Sequence, residues 1–486
     1  MFQKIKSLFT QTAIYGTSTI VGRLLNFLLV PFYTNVLLPD EYGIVAYIFS
    51  IIALVGMIYG FGLEAAFFKY STSKEGGNIE KTFSTSFLSL SVTSILLSTI
   101  ILLNGEFILN TLSLEKLFLP SIYFAAITLA FDSFAAIPFS LLRLKNQAKY
   151  FAIVKILNIV ITILSNIYFL LYLDFGVNGI FLSSAIASVG TVIFLLPVIY
   201  KNFSFQKNYN LMENLWRYGL PLIPAGIATT SLQIIDRPIL RILTTDATVG
   251  IYQANYRLGI FMMLVVQMFD FAWRPFYFSH SNDADSKKIM SRVMIYFTLL
   301  LFLIFLIFSF FIPDIIALNI FGKSIIHQNY WSGLHIVPVI LLAYLFFGLS
   351  NIFSAGLYIE KKTHLVPIAS IIAAGLKIVL TFILVPFFEI MGAAIATLVA
   401  YLSLAITMLL LSQKAYPIQY EWARFSKITF VSLIIFLTTI FFEQYASNQI
   451  ILKIILLLLF IPLLYLFKFF NAEEKNKIKK ILFAKS

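Results

Sequence analysis

The forty residues KYFAIVKILNIVITILSNIYFLLYLDFGVNGIFLSSAIAS (Lys149–Ser188) hold two apolar runs divided by the short break DFGVNG. A helix needs about twenty predominantly apolar residues to cross a hydrocarbon layer, and each run comes close to that length. Sliding the chain along itself by 213 residues lays this stretch on KTHLVPIASIIAAGLKIVLTFILVPFFEIMGAAIATLVAY (Lys362–Tyr401), with Lys149 on Lys362 and Gly179 on Gly392. A weaker match precedes it. Tyr15-Gly16, a long span and PDEYGIVAYIF (Pro39–Phe49) correspond to Tyr218-Gly219, a long span and TDATVGIYQANY (Thr245–Tyr256).

The rest of the chain has the same character. Of its 486 residues 60% are hydrophobic and 12% charged, with a mean hydropathy of +0.92, which excludes a soluble globule. No cysteine is present, so disulfides, thiolate metal sites and cysteine nucleophiles are excluded. MFQKIKSLFT leads into an apolar run too long for a signal-peptide core and reads as a retained first span.

Counting runs near twenty residues between charged or Gly/Pro/Asn-rich breaks predicts fourteen spans. Their limits are 11–38, 43–68, 82–103, 117–141, 150–173, 177–200, 216–240, 248–273, 289–312, 333–358, 364–387, 390–412, 425–442 and 449–469. Of the 35 lysines and arginines, 26 then fall on the side of the N-terminus, 4 on the other side and 5 within spans. Both termini are therefore expected in the cytoplasm. The net charge of +13 follows from this bias and does not point to nucleic acid. KNKIKKILFAK near the C-terminus reads as the positive tail of the last span or as an amphipathic helix on anionic lipid.

Spans one to six match spans seven to twelve, and six is even, so the two halves share one topology and an axis along the membrane normal. The expected fold is an all-α integral membrane protein. Residues 1–203 and 204–414 form two pseudo-symmetric six-helix lobes, and 415–486 hold two further spans and a basic tail.

Charges inside spans are the candidate functional groups. An arginine at a helix centre costs roughly 2.5–3.5 kcal/mol on insertion scales, so each needs compensation. In the first span Thr12, Gly16, Thr19, Arg23, Asn26 and Tyr33 share one face. The seventh carries Gly226, Thr229, Thr230, Gln233 and Asp236-Arg237, and the eighth Gln253, Tyr256, Arg257, Gln267 and Asp270. Arg23, Arg257 and Lys377 stand at mid-depth on spans from both halves, where a positive surplus suits an anionic ligand such as phosphate.

The cavity set is therefore Arg23, Asn26, Arg257, Lys377, Gln233 and Gln267. Asp132 and Asp270 are candidate ion-coupling sites, and Pro221 and Pro224 stand where a gating helix would bend. Each has a structural alternative. A buried cation can be spent on a carboxylate or on helix-end carbonyls, and Lys155 and Glu64 can snorkel. Asp236-Arg237 reads equally as a local pair, and prolines within spans often serve packing. The four histidines show no metal-ligand spacing, and no metal site is expected.

GRLLNFLLVPFYTNVLLPDEYG (Gly22–Gly43) and YGLPLIPAGIATTSLQIIDRPILRILTTDATVGIYQANYRLG (Tyr218–Gly259) resemble bacterial polysaccharide-biosynthesis flippases. These are members of the multidrug/oligosaccharidyl-lipid/polysaccharide exporter superfamily, and the likeness extends over nearly the whole chain. It implies a fold like that of the multidrug exporters, with alternating access around a cationic cavity. It also implies an isoprenoid-diphosphate-linked oligosaccharide as substrate, for cell-surface polysaccharide biosynthesis in the bacterial cytoplasmic membrane. The family's first-helix arginine corresponds to Arg23 and its eighth-helix basic residue to Arg257, whereas Lys377 rests on its depth alone. A monomer without cofactor is expected, with H+ or Na+ as candidate coupling ion and a polysaccharide polymerase as candidate partner.

The alternative is a cation-coupled exporter of drugs or other small molecules with the same fold, which would want a carboxylate-dominated cavity. The Lys69–Lys81 loop lacks the major-facilitator signature. A membrane glycosyltransferase, polymerase or ligase would need a large outer loop or an acidic metal motif, and a channel a repeated filter segment. None of these is present, so no enzyme is expected.

Overall fold

The structure is a computed structural model describing residues 20–72, 78–204, 209–281, 283, 285–320, 322–443, 449–471 and 474–475. In chain order the helices begin with α1 Ile20–Val36, α2 Pro39–Gly60, α3 Leu63–Thr72, α4 Ile79–Leu103, α5 Gly105–Thr111 and α6 Leu119–Leu144. They continue with α7 Ala148–Leu171, α8 Gly176–Asn202, α9 Tyr209–Gly219, α10 Ile223–Ile234, α11 Asp236–Leu243 and α12 Asp246–Leu258. The last are α13 Ile260–His280, α14 Ser286–Ala317, α15 Val337–Ile359, α16 Leu365–Ala415, α17 Trp422–Glu443 and α18 Gln449–Leu466. Strands Asn319–Ile320 and Lys323–Ser324 form a small hairpin after α14.

Among the described residues ten helices are long and apolar enough to cross a membrane, or twelve if the bent pairs α9–α10/α11 and α12/α13 each make one span. The 51-residue α16 is itself two helices fused across Glu389, whose φ of 47° and ψ of −124° lie outside the helical region. With that division and the shorter apolar α1, each of the fourteen apolar runs in the sequence has a helix. Thr12, Gly16 and Thr19 of the first-span stripe lie outside the described residues, as does most of the basic tail.

Many small polar side chains are buried while large apolar ones face outward. Helix α4 buries Thr82, Ser84, Ser86, Ser94 and Ser98 and exposes Leu88, Val92, Ile95 and Leu96. Lipid competes for apolar surface, so small and polar side chains that let backbones approach or hydrogen-bond across helices make the better interface. The chain is a multi-pass membrane protein.

It divides into two compact units. The first comprises residues 1–257, 326–333 and 370–396. There α6, α7 and α8 pack closely, joined by Phe139, Leu142, Val154 and Leu195. Phe67, Phe83, Ile137 and Leu215 tie α3, α4, α6 and α9 together. The second comprises residues 258–325, 334–369 and 397–486, in which α13, α14 and α15 pack together and α17 and α18 lie against α14.

Candidate functional site

A cavity of about 650 Å³ lies within the first unit. Its walls follow from helical period. On α6, Thr128, Asp132, Ala135, Phe139 and Arg143 recur at steps of three or four, and so do Phe151, Lys155, Asn158 and Thr162 on α7 and Ser184, Ser188 and Thr191 on α8. Phe49, Ile52 and Ala53 of α2 and Glu64 of α3 line another side.

Hydrogen bonds fix most of these groups. Ser188 donates to Asp132 Oδ1 at 2.6 Å, and Asn158 Nδ2 donates to Thr191 Oγ1 at 2.9 Å. Arg143 donates through Nη2 to Glu64 Oε1 and to Ser140 Oγ, both at 3.0 Å. Lys155 Nζ lies 4.3 Å from the centre of the Phe139 ring and, among the described residues, has no carboxylate within 4 Å. It feels the charges of Asp132, Glu64 and Arg143 from further away. Two carboxylates and two cations face this space, so it is amphoteric rather than cationic. The groups furthest from the helix ends, Asp132, Asn158 and Thr162, lie among apolar helices and need water or a polar passenger to solvate them.

A second cluster is closed. Asp236 has no exposed surface and opens α11 where the span bends by 58° after α10. Its Oδ1 accepts from Arg237 Nη1 at 2.6 Å, and its Oδ2 accepts from Tyr252 at 2.7 Å and pairs with Lys377 Nζ at 3.0 Å. Lys377, itself fully buried, also donates to the Leu232 carbonyl at 2.7 Å. Arg237 lies 4.1 Å over the Tyr256 ring, and its Nε donates to Gln253 at 3.0 Å. The cluster thus meets a carbonyl freed by the break and buries each charge against an opposite one.

The candidate residues are distributed unevenly. Arg23 is half-buried on α1, with Asn26 exposed one turn on. Arg257 is half-buried near the end of α12, close enough for its charge to be felt at Tyr33 and Tyr42. Tyr33 donates to Asn166 of α7 at 3.0 Å and stands ten residues beyond Arg23, about 15 Å along the helix. Neither arginine lines the described cavity.

An open ammonium at Lys377 does not describe this structure, because Asp236 and Leu232 occupy it. Gln233 is exposed on α10, and its carbonyl accepts from Arg237. Gln267 is half-buried on α13, and its buried Oε1 has no hydrogen-bond partner among the described residues. Asp270 pairs with Arg274 one turn away at 2.9 Å. Of the cavity, ion-coupling and gating sets only Asp132 lines the cavity, joined there by Lys155 and Glu64. Pro221 lies in the short 3-10 turn Leu220–Leu222 and Pro224 in the first turn of α10, where a missing N–H is harmless. The sharp bend is at Ile235 instead. Lys155, Asn158 and Thr162 were overlooked as a set, although their spacing of three and four was readable.

A family model described as polysaccharide biosynthesis protein matches residues 8–279, more than half of the chain. No curated protein sequence matches it. Among solved structures the fold is similar to a lipid II flippase, MurJ, in an inward closed conformation. That match has a TM-score of 0.68 and 17% identity over 93% of this chain and 99% of that one. It is also similar to an inward-facing multidrug resistance MATE family transporter of the MOP superfamily, with a TM-score of 0.66 and 14% identity over 81% and 94% of the two chains. A third is the Vibrio cholerae MATE transporter VcmN in its bent form, with a TM-score of 0.56 and 13% identity over 84% and 96%.

Proposed function

The chain belongs to the polysaccharide biosynthesis protein family, and from that premise we propose that it is a flippase moving an isoprenoid-diphosphate-linked oligosaccharide across a bacterial cytoplasmic membrane. Rocking between two lobes, residues 1–203 and 204–414, would expose the headgroup first to one side and then to the other while the tail stays in lipid. Both termini are placed in the cytoplasm, and the protein works as a monomer feeding a polysaccharide polymerase. The observation that carries this reading is a roomy chamber walled by Asp132, Lys155, Asn158 and Thr162 inside an apolar bundle, in a chain of this family.

Arg23 and Arg257, which lie outside that chamber, are the groups assigned to the diphosphate, since guanidinium forks meet phosphate oxygens in bidentate, charge-assisted bonds. Asp132 is assigned to a returning H+ or Na+. The test is reconstitution in vesicles with a fluorescent lipid-linked oligosaccharide, reading sugar exposure with an impermeant lectin. Exposure no faster than in protein-free vesicles would overturn the reading.

A second reading, export of a cationic small molecule, is favoured by one observation, the two carboxylates Glu64 and Asp132 on the chamber wall. Efflux of a cationic dye from the same vesicles, with no sugar exposure, would select it.

A further inference from the structure

Helices α2 and α12 begin inside each other's backbone. A Cβ on Gly43 would stand 1.8 Å from the carbonyl oxygen of Asp246, and one on Gly250 would stand 2.0 Å from that of Pro39. The contact is reciprocal. Pro39 and Asp246 open their helices, and each glycine follows four residues later at matching positions of the internal repeat. Only hydrogen fits at both places, so any side chain must push the helices apart.

A strap, residues 326–333, lies over this seam and holds both sides. Tyr330 is fully buried, and its hydroxyl donates to the carbonyl of Leu37, beside the start of α2, at 2.9 Å. Its ring meets Tyr42 of α2 edge-on, with centroids 6.0 Å apart. Its own carbonyl accepts from Asn255 Nδ2 of α12 at 2.8 Å. A Cβ on Gly333 would lie 2.4 Å from that same Asn255 nitrogen. Parting α2 from α12 would thus strip a buried hydroxyl or a buried carbonyl of its partner.

The far end of α2 has a second close approach, beside the core that ties α3 to α9. A Cβ on Gly219 would lie 2.5 Å from the Phe61 carbonyl oxygen, and Phe61 packs on Trp216 with centroids 4.9 Å apart.

We propose that the Gly43–Gly250 seam is the outer gate of the transporter and that Tyr330 is its latch, which must leave Leu37 or Asn255 before the gate parts. The inference rests on the alternating-access reading, yet it can be tested without a substrate. Ser50 lies seven residues beyond Gly43 on the same face of α2 and is buried. The chain has no cysteine of its own, so Ser50→Cys is a single reporter for a membrane-impermeant maleimide. Labelling is compared in right-side-out and inside-out vesicles.

In right-side-out vesicles Gly250→Ala should label about tenfold faster than the reporter parent. Tyr330→Phe, which keeps the ring and loses one hydrogen bond, should label about threefold to tenfold faster. Gly219→Ala, at the opposite end, should match the parent there. The proposal is overturned if Tyr330→Phe labels at the parent rate, whatever Gly250→Ala does, or if Gly219→Ala gains as much as Gly250→Ala. Labelling reads exposure alone, so a protein that carries some other passenger still answers, and failed sugar transport with faster labelling would count against the substrate and not the gate.

Discussion

Lys377 Nζ stands 3.0 Å from Asp236 Oδ2, and neither side chain has any exposed surface. Removing one partner of such a pair leaves an uncompensated charge in a low-dielectric interior, which typically costs about 3–5 kcal/mol. Asp236→Ala strands two cations, Arg237 and Lys377, whereas Lys377→Met leaves Asp236 still facing Arg237. The expected order of thermal stability in detergent is parent, then Lys377→Met, then Asp236→Ala. The double variant Asp236→Asn with Lys377→Met should recover part of the loss. An Asp236→Ala protein that unfolds at the parent temperature would refute the structural role.

For Arg23 and Arg257 the expectation is the reverse, intact folding with impaired transport. Both are half-buried and outside the closed cluster around Asp236. Loss of a charge-assisted bond to phosphate is worth about 1.5–3 kcal/mol, or about tenfold to a hundredfold in transport rate at matched expression. Sugar exposure in reconstituted vesicles measures it, and unchanged rates in both Arg23→Ala and Arg257→Ala would remove the two arginines from the site.

What the sequence disclosed and what it hid divide along physical lines. Span limits depend on local hydropathy, and even the break in α16 was readable, since the expected spans end at 387 and restart at 390 around the non-helical Glu389. Local pairs were readable too, as Asp236 beside Arg237 shows. Depth along a helix can be counted, but the direction a side chain faces across the bundle depends on packing that local pattern does not encode. For Lys377 the position within its span can be counted, but its partner cannot, since the carboxylate it meets lies 141 residues earlier in the chain. The stripe of Lys155, Asn158 and Thr162 carried a helical period, yet a lysine near a span end also satisfies snorkelling, and the sequence offered no way to choose. Tyr330 sits in a connecting segment whose docking on Leu37 spans 293 residues of chain, beyond any periodicity.

Asp132 invites a separate experiment, because it alone among the ion-coupling candidates faces the chamber, while Asp270 is spent on Arg274. Asp132→Asn keeps the size and can still accept from Ser188, so the cavity should survive while the charge is lost. Transport driven by an imposed proton or sodium gradient should fall to the rate seen without a gradient, with downhill exchange retained. A variant whose transport keeps the parent's gradient dependence would assign coupling elsewhere.

Glu474 offers a prediction at the end of the described chain, apart from the chamber lining. Its carboxylate accepts two bonds from Arg424 Nη2, at 3.0 and 2.9 Å, one from the Asn471 N–H at 2.8 Å and one from the Tyr296 hydroxyl. Partial burial pushes its pKa up, but the bonds from Tyr296 and Asn471 and the charge of Arg424 outweigh this and hold it below the usual carboxylate range. A depressed carboxylate pKa favours the docked state above the unfolded value near pH 4.3, and that contribution disappears as pH falls through the lower folded value. The chain just before the basic tail should therefore stay docked at neutral pH and detach only in acid below about pH 4. Acid-stable proteolysis of the C-terminus across pH 3–7 would show the transition, and Glu474→Gln should make the segment cleavable at every pH. Equal protection of parent and variant at pH 7 would show that Glu474 does not hold it.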